Sequence, residues 1–103
     1  MDAQMKKGVV EMCILHLIQS EQRYGYEIMQ LVNKAFPDIN ESTIYAILRR
    51  LNKEGAAKVT LGTVSGGPPR KYYFITEQGR ETLAGAKSNW RGLIASVAAL
   101  GIE

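Results

Sequence analysis

Between Ser42 and Gly55 the chain reads S-T-I-Y-A-I-L-R-R-L-N-K-E-G, and Ile44, Ile47, Leu48 and Leu51 recur at the spacing that lays one apolar stripe along an α-helix. Ser42, Thr43, Tyr45, Ala46, Arg49, Arg50 and Lys53 fill the remaining surface. One face is built to anchor, and the other offers hydroxyls, a phenol and cations. Asn40 stands where an N-cap belongs, its side chain placed to accept from the next turn, and Gly55 stands where a left-handed residue ends a helix.

Upstream, Val9 to Ile18 is apolar at nearly every position, which predicts a helix buried on several sides, some of them against another subunit. Ser20 to Arg23 reads as a polar break. Tyr24 to Phe36 resumes helical periodicity with Tyr24, Ile28, Leu31, Val32 and Ala35 on one side, and Pro37 ends it. Two helices joined by a short connection make a helix-turn-helix whose second member is the reading element.

Downstream, Ala57 to Val64 and Arg70 to Thr76 are rich in β-branched and aromatic residues, with the turn-forming S-G-G-P-P between them. A hairpin with a basic base after three helices predicts a winged helix. Thr76 is placed to cap a last helix to about Leu100, where Leu83, Ala86, Trp90, Leu93, Val97 and Leu100 form a heptad seam suited to pairing two copies. Gly79, Gly85 and Gly92 weaken that helix by up to about 1 kcal/mol each, which makes it depend on a partner. The expected fold is mainly α with a small β-hairpin, a winged helix-turn-helix over 1–76 and a dimerisation helix over 77–103, packed as one unit.

Composition changes this picture in a few places. With 103 residues the chain has room for a single core. Net charge is only +3, but Ser42 to Lys71 holds six cations and one acid while the rest holds seven cations and nine acids. That patch is the footprint of a polyanion binder. No apolar run is long enough for a membrane span and no secretory signal is evident, so the cytoplasm is the expected compartment. One cysteine, Cys13, excludes an internal disulfide; with His16 three residues on it offers too few ligands for a metal, and both are expected in the core. No catalytic constellation, phosphate loop or zinc-ligand set is present, so no cofactor and no enzyme activity are expected.

Y-G-Y-E-I at Tyr24 to Ile28, S-T-I-Y-A-I-L-R-R-L-N-K-E-G at Ser42 to Gly55, G-G-P-P-R-K-Y-Y at Gly66 to Tyr73 and I-T-E-Q-G at Ile75 to Gly79 together resemble the PadR family of bacterial transcriptional regulators. The likeness covers about residues 8 to 80. Its single last helix resembles the small PadR subfamily, which implies a homodimer held by the first and last helices and repression at a palindromic double-stranded DNA operator. In multidrug-sensing members a tryptophan of the last helix stacks on flat aromatic compounds at the dimer interface. Trp90, fourteen residues after Thr76, is at the matching position, while Ile94 one turn on is apolar where an acidic residue would help to hold a cationic drug.

The DNA-contact set is therefore Ser42, Thr43 and Tyr45 in the first turns of the reading helix, Arg49 and Arg50 on its flank, and Arg70 and Lys71 at the wing. Arg49 and Arg50 lie about 100° apart on a helix, so at least one is assigned to DNA. Tyr24 is assigned to the core, and Tyr26 either reaches a phosphate or covers a neighbour. Trp90, Ala86 and Met12 are assigned to a slot for a small aromatic effector, and Leu83, Trp90, Leu93, Val97 and Leu100 to the dimer seam. The contrasting reading is a winged helix whose basic face meets an acidic protein partner without sequence-specific DNA binding.

Overall fold

A computed structural model describes residues 2–62 and 67–103. In chain order the elements are α1 (Ala3–Gln19), β1 (Arg23–Tyr24), α2 (Gly25–Ala35), α3 (Glu41–Lys53), β2 (Ala57–Gly62), β3 (Arg70–Ile75) and α4 (Glu77–Ala99). The strands form an antiparallel sheet in the order β1-β3-β2, with Ala57 opposite Ile75 and Gly62 opposite Arg70 at the two ends of the hairpin. Thr63, Val64, Ser65 and Gly66, on which the end of the first hairpin strand and part of the expected turn fall, lie outside the described residues.

The core is where three apolar stripes meet. α1 contributes Val10, Ile14, Leu15 and Ile18, α2 contributes Ile28, Met29 and Val32, and α3 contributes Ile44, Ile47, Leu48 and Leu51, all buried. Ile39 plugs the connection between α2 and α3: its amide donates to the Phe36 carbonyl at 3.1 Å, and its carbonyl accepts from Asn33 Nδ2 at 2.9 Å. The stripe predicted for α3 is the stripe that is buried.

Five expectations need correction. Arg23 and Tyr24 form a strand, because they pair with Tyr73 and Tyr72 of β3. Arg23 also ties the neighbouring helices together, donating from Nε to the Leu17 carbonyl at 2.7 Å and pairing with Glu27 at 3.0 Å. On α2, Leu31 and Ala35 are exposed rather than buried, since the groove they face is open. Asn40 occupies the N-cap position, yet its side chain makes no capping bond; its backbone carbonyl accepts from Thr43 and Ile44 instead. His16 is exposed and Cys13 half-buried, so neither is a core residue. Leu83 is 2% exposed within the chain's own core, which removes it from the surface available to a second copy.

The end of α3 is fastened to the start of α4. Gly55 takes φ +87, letting the Ala56 amide reach back to the Leu51 carbonyl at 2.9 Å. The Ala56 carbonyl then accepts from the Thr76 amide at 3.1 Å, the Thr76 hydroxyl donates to the Gly55 carbonyl at 2.6 Å, and Gln78 Nε2 donates to the Glu54 carbonyl at 2.9 Å. Thr76 Oγ1 also accepts from the Gly79 amide at 3.0 Å, which is the predicted cap. Gly79 is required here: a Cβ on it would stand 2.1 Å from the Ala56 carbonyl oxygen.

Gly79→Ala is expected to lower stability by about 2 kcal/mol or more through backbone displacement, and Thr76→Ala by about 1 to 2 kcal/mol through loss of the cap. Urea unfolding followed by circular dichroism checks both, and a neutral Gly79→Ala would contradict the close approach.

Candidate nucleic-acid interface

α3 presents its polar face to solvent because its apolar stripe is used up in the core, and the residues around that face come from four other elements, α1, β1, α2 and β3, and the connections between them. On one flank Tyr45 and Arg49 share a shallow depression of about 340 Å³ with Tyr24, Gly25, Tyr26, Tyr73 and the hairpin residues Pro69, Arg70 and Lys71. On the other flank Ser42, Thr43 and Ala46 line a depression of about 600 Å³ with Lys6, Lys7, Asp38 and Asn40. Tyr45, Arg49, Arg70 and Lys71 are thus brought together, whereas Ser42 and Thr43 are exposed on the far side of the same helix.

Gly25 shapes the first flank. A Cβ there would stand 3.2 Å from the Tyr73 ring, a tight contact that would push the ring back slightly, and 3.8 Å from the Tyr45 ring, so glycine eases the approach of α2 to Tyr73. Burial pushes the Tyr73 phenol up, outweighing the opposite pull of the Arg49 charge. Burial and the nearby Glu41 carboxylate push the Tyr45 phenol up as well. Both therefore remain neutral hydrogen-bond donors well above physiological pH.

Tyr24 does not belong to the core. It is half-buried on β1, with its ring 5.9 Å from that of Tyr72 and 6.2 Å from that of Tyr26, and the Arg70 guanidinium lies 4.8 Å from its centroid. This cation–π contact parks Arg70 beside the reading helix. Tyr26 is 47% exposed and remains open to an outside contact. The signal for Tyr24 was invisible along the chain, because it depends on pairing with a strand nearly fifty residues downstream.

The two adjacent arginines part ways. Arg50 pairs with Glu11 of α1 at 2.7 Å and with Glu54 at 3.5 Å, and the Glu11 hydrogen bond raises its pKa further. Its guanidinium is engaged in holding α3 against α1. Arg49 is exposed and has no acidic partner among the described residues. Lys6 and Lys7 were not assigned from the sequence, although the basic start of the chain was the signal for them. Lys6 pairs with Asp38, holding that carboxyl below the usual range, and Lys7 is exposed without an acidic partner among the described residues.

Away from this face, Met12, Ala86 and Trp90 do come together, lining a groove of about 290 Å³ with Met5, Val9 and Leu93. Trp90 is 38% exposed. Among the described residues no cluster of three or more His, Cys, Asp or Glu side chains could hold a metal ion, and no helix is long and apolar enough to cross a membrane.

Because the Arg50 pair is only partly screened from water, Arg50→Ala is expected to lower stability by about 1 kcal/mol. Thermal unfolding of this variant beside Arg49→Ala checks the division, since Arg49→Ala should leave the midpoint nearly unchanged.

The family described as the transcriptional regulator PadR-like family matches residues 14–85. An uncharacterized protein of Lysinibacillus sphaericus is 40% identical over 88 residues, which cover 82% of this chain and 80% of that protein. The crystal structure of a PadR-like transcriptional regulator from Bacillus cereus superposes with a TM-score of 0.84 at 43% identity, covering 98% of this chain and all (100%) of that one. Bacillus subtilis PadR, solved in complex with operator DNA, shares the fold with a TM-score of 0.66 at 24% identity over 75% of this chain and 45% of its own. With the family covering most of its length and a relative matched end to end, the chain belongs to the PadR-like family of transcriptional regulators, which are not enzymes.

Proposed function

We propose that the protein is a dimeric repressor that lays α3 into the major groove of a palindromic operator and sets the hairpin at Arg70 and Lys71 against the adjoining backbone. The observation that carries this reading is the convergence of Tyr45, Arg49, Arg70 and Lys71, with Tyr24 and Tyr26, on one flank of α3. Ser42 and Thr43 are exposed at the N-terminal end of that helix, where the positive end of its dipole favours a phosphate. That Bacillus subtilis PadR, which shares the fold, forms a complex with operator DNA supports DNA as the partner.

Pairing is supported by α4. Leu93, Ile94 and Leu100 are 46%, 50% and 87% exposed, a stripe that water would otherwise cover. With Ala86, Trp90 and Val97 it gives the seam its surface, and a second copy joined there would offer two reading helices to successive major grooves about 34 to 36 Å apart. Release by a planar aromatic effector between the paired Trp90 side chains fits the groove that Met12, Ala86 and Trp90 line. Such a ligand weakens operator binding only through its different affinity for the two dimer shapes. The cytoplasm is the compartment this role requires.

Gel-shift titrations against the promoter region of the protein's own gene test the first part. Arg49→Ala is expected to weaken binding by about tenfold or more and to reduce the salt slope by about one, whereas Arg50→Ala leaves the slope unchanged. Equal affinity for that region and for random DNA would instead favour a protein-binding winged helix. For the second part, planar dyes should change the emission of Trp90, the sole tryptophan, and an unresponsive spectrum across a panel of them would remove the effector while leaving the repressor.

A further inference from the structure

Trp90 has two sides. One faces the seam groove, whose lining carries no charged residue; the other closes a second and larger groove of about 590 Å³ between α1, α2 and α4. The wall of this second groove is mainly apolar, from the aliphatic Leu17, Leu31 and Val32, the thioether of Met12 and the aromatic Phe36 and Trp90. Leu31 is 39% exposed although it belongs to the apolar face of α2, so among the described residues none covers it.

Its polar groups are all basic or neutral. Lys87 and Arg91, one helical turn apart on α4, and His16 of α1 line the groove, and no acidic side chain does. Neither Lys87 nor Arg91 has an acidic partner among the described residues, and Lys87 is half-buried with its stem along the groove wall. Arg80 stands seven residues before Lys87 in a neighbouring depression that also lacks an acid. An apolar trough ending in unmatched cations complements a molecule with an apolar chain and an anionic head.

We propose that the groove between α1, α2 and α4 binds a small amphiphilic carboxylate, its chain against Leu31 and Phe36 and its head group held by Lys87 and Arg91. The site is distinct from the seam groove in position and in charge. A flat aromatic molecule suits the uncharged seam side of Trp90, and an aliphatic anion suits this one.

Two reporters line the groove: Trp90, the single tryptophan, and Cys13, half-buried, the single cysteine. Decanoate, decanol and decyltrimethylammonium, each below its micellar range, would be titrated against the free protein without DNA. Trp90 emission and the alkylation rate of Cys13 by iodoacetamide would be followed at mildly alkaline pH, because burial pushes the thiol up. Decanoate is expected to give a saturable emission change and to protect Cys13, with decanol about tenfold weaker. The double variant Lys87→Gln, Arg91→Gln should bring decanoate down to the affinity of decanol while decanol itself still binds, which shows the variant folded. Equal binding of the three probes, or no protection of Cys13, overturns the proposal. So does protection that rises with protein concentration and ignores decanoate, for then a second copy fills the groove. Because no DNA is present, failure here leaves the operator reading untouched.

Discussion

The end of α3, the start of β2 and the start of α4 are joined through one peptide group, the carbonyl of Ala56. It follows the left-handed turn at Gly55, accepts from the Thr76 amide and leaves room for nothing larger than glycine at position 79. Three elements meet there: α3 ends, β2 begins and α4 departs. The direction of the reading helix, the root of the hairpin and the exit of the pairing helix are therefore fixed relative to one another by a few backbone hydrogen bonds. Hydrophobic burial of Ile44, Ile47, Leu48 and Leu51 supplies the larger free energy, but it is non-directional; the junction supplies the angles.

Charge is divided by the same logic. Arg49 and Arg50 are neighbours in sequence, and the helix turns them to different surroundings: a depression shared with Arg70 and Lys71, and the carboxylates of Glu11 and Glu54. One guanidinium is left unmatched where a polyanion would arrive. The other is spent keeping α3 seated on α1. Arg70 receives intermediate treatment, because a tyrosine face attracts it without neutralising it.

What was legible in the chain was what local rules decide. The stripe of α3, the glycine at its end and the capping threonine of α4 all follow from periodicity and backbone chemistry, and the structure reproduces them. The misassigned residues are those whose environment comes from far away in sequence. Tyr24 fits a helical stripe and becomes a strand because β3 is beside it. Leu83 fits the heptad and is buried by the chain's own core. Arg50 resembles an exposed cation until Glu11 is brought to it across thirty-nine positions. Leu31 and Ala35 fit the apolar face of α2 but face a groove with no lid. Where the structure brings the reading-face residues together, it does so around Gly25, whose part could not be read from a Y-G-Y triplet alone.

The burial of Leu83 alters what α4 is mechanically. From Thr76 to Leu83 the helix is buried against the body at Gly79 and Leu83, and beyond it the helix projects with only Ala86, Lys87 and Val97 half-buried. Gly85 sits at its root and Gly92 midway along, each with open space where a Cβ would be, so nothing in the chain's own packing calls for them. They are the points at which the beam is least stiff. From Gly85 to Ala99 the lever is about 21 Å long, so a tilt of about 10° at the root carries its tip about 4 Å. For the proposed pairing of two copies through α4, the bending stiffness at these two glycines would set the separation of the two α3 helices.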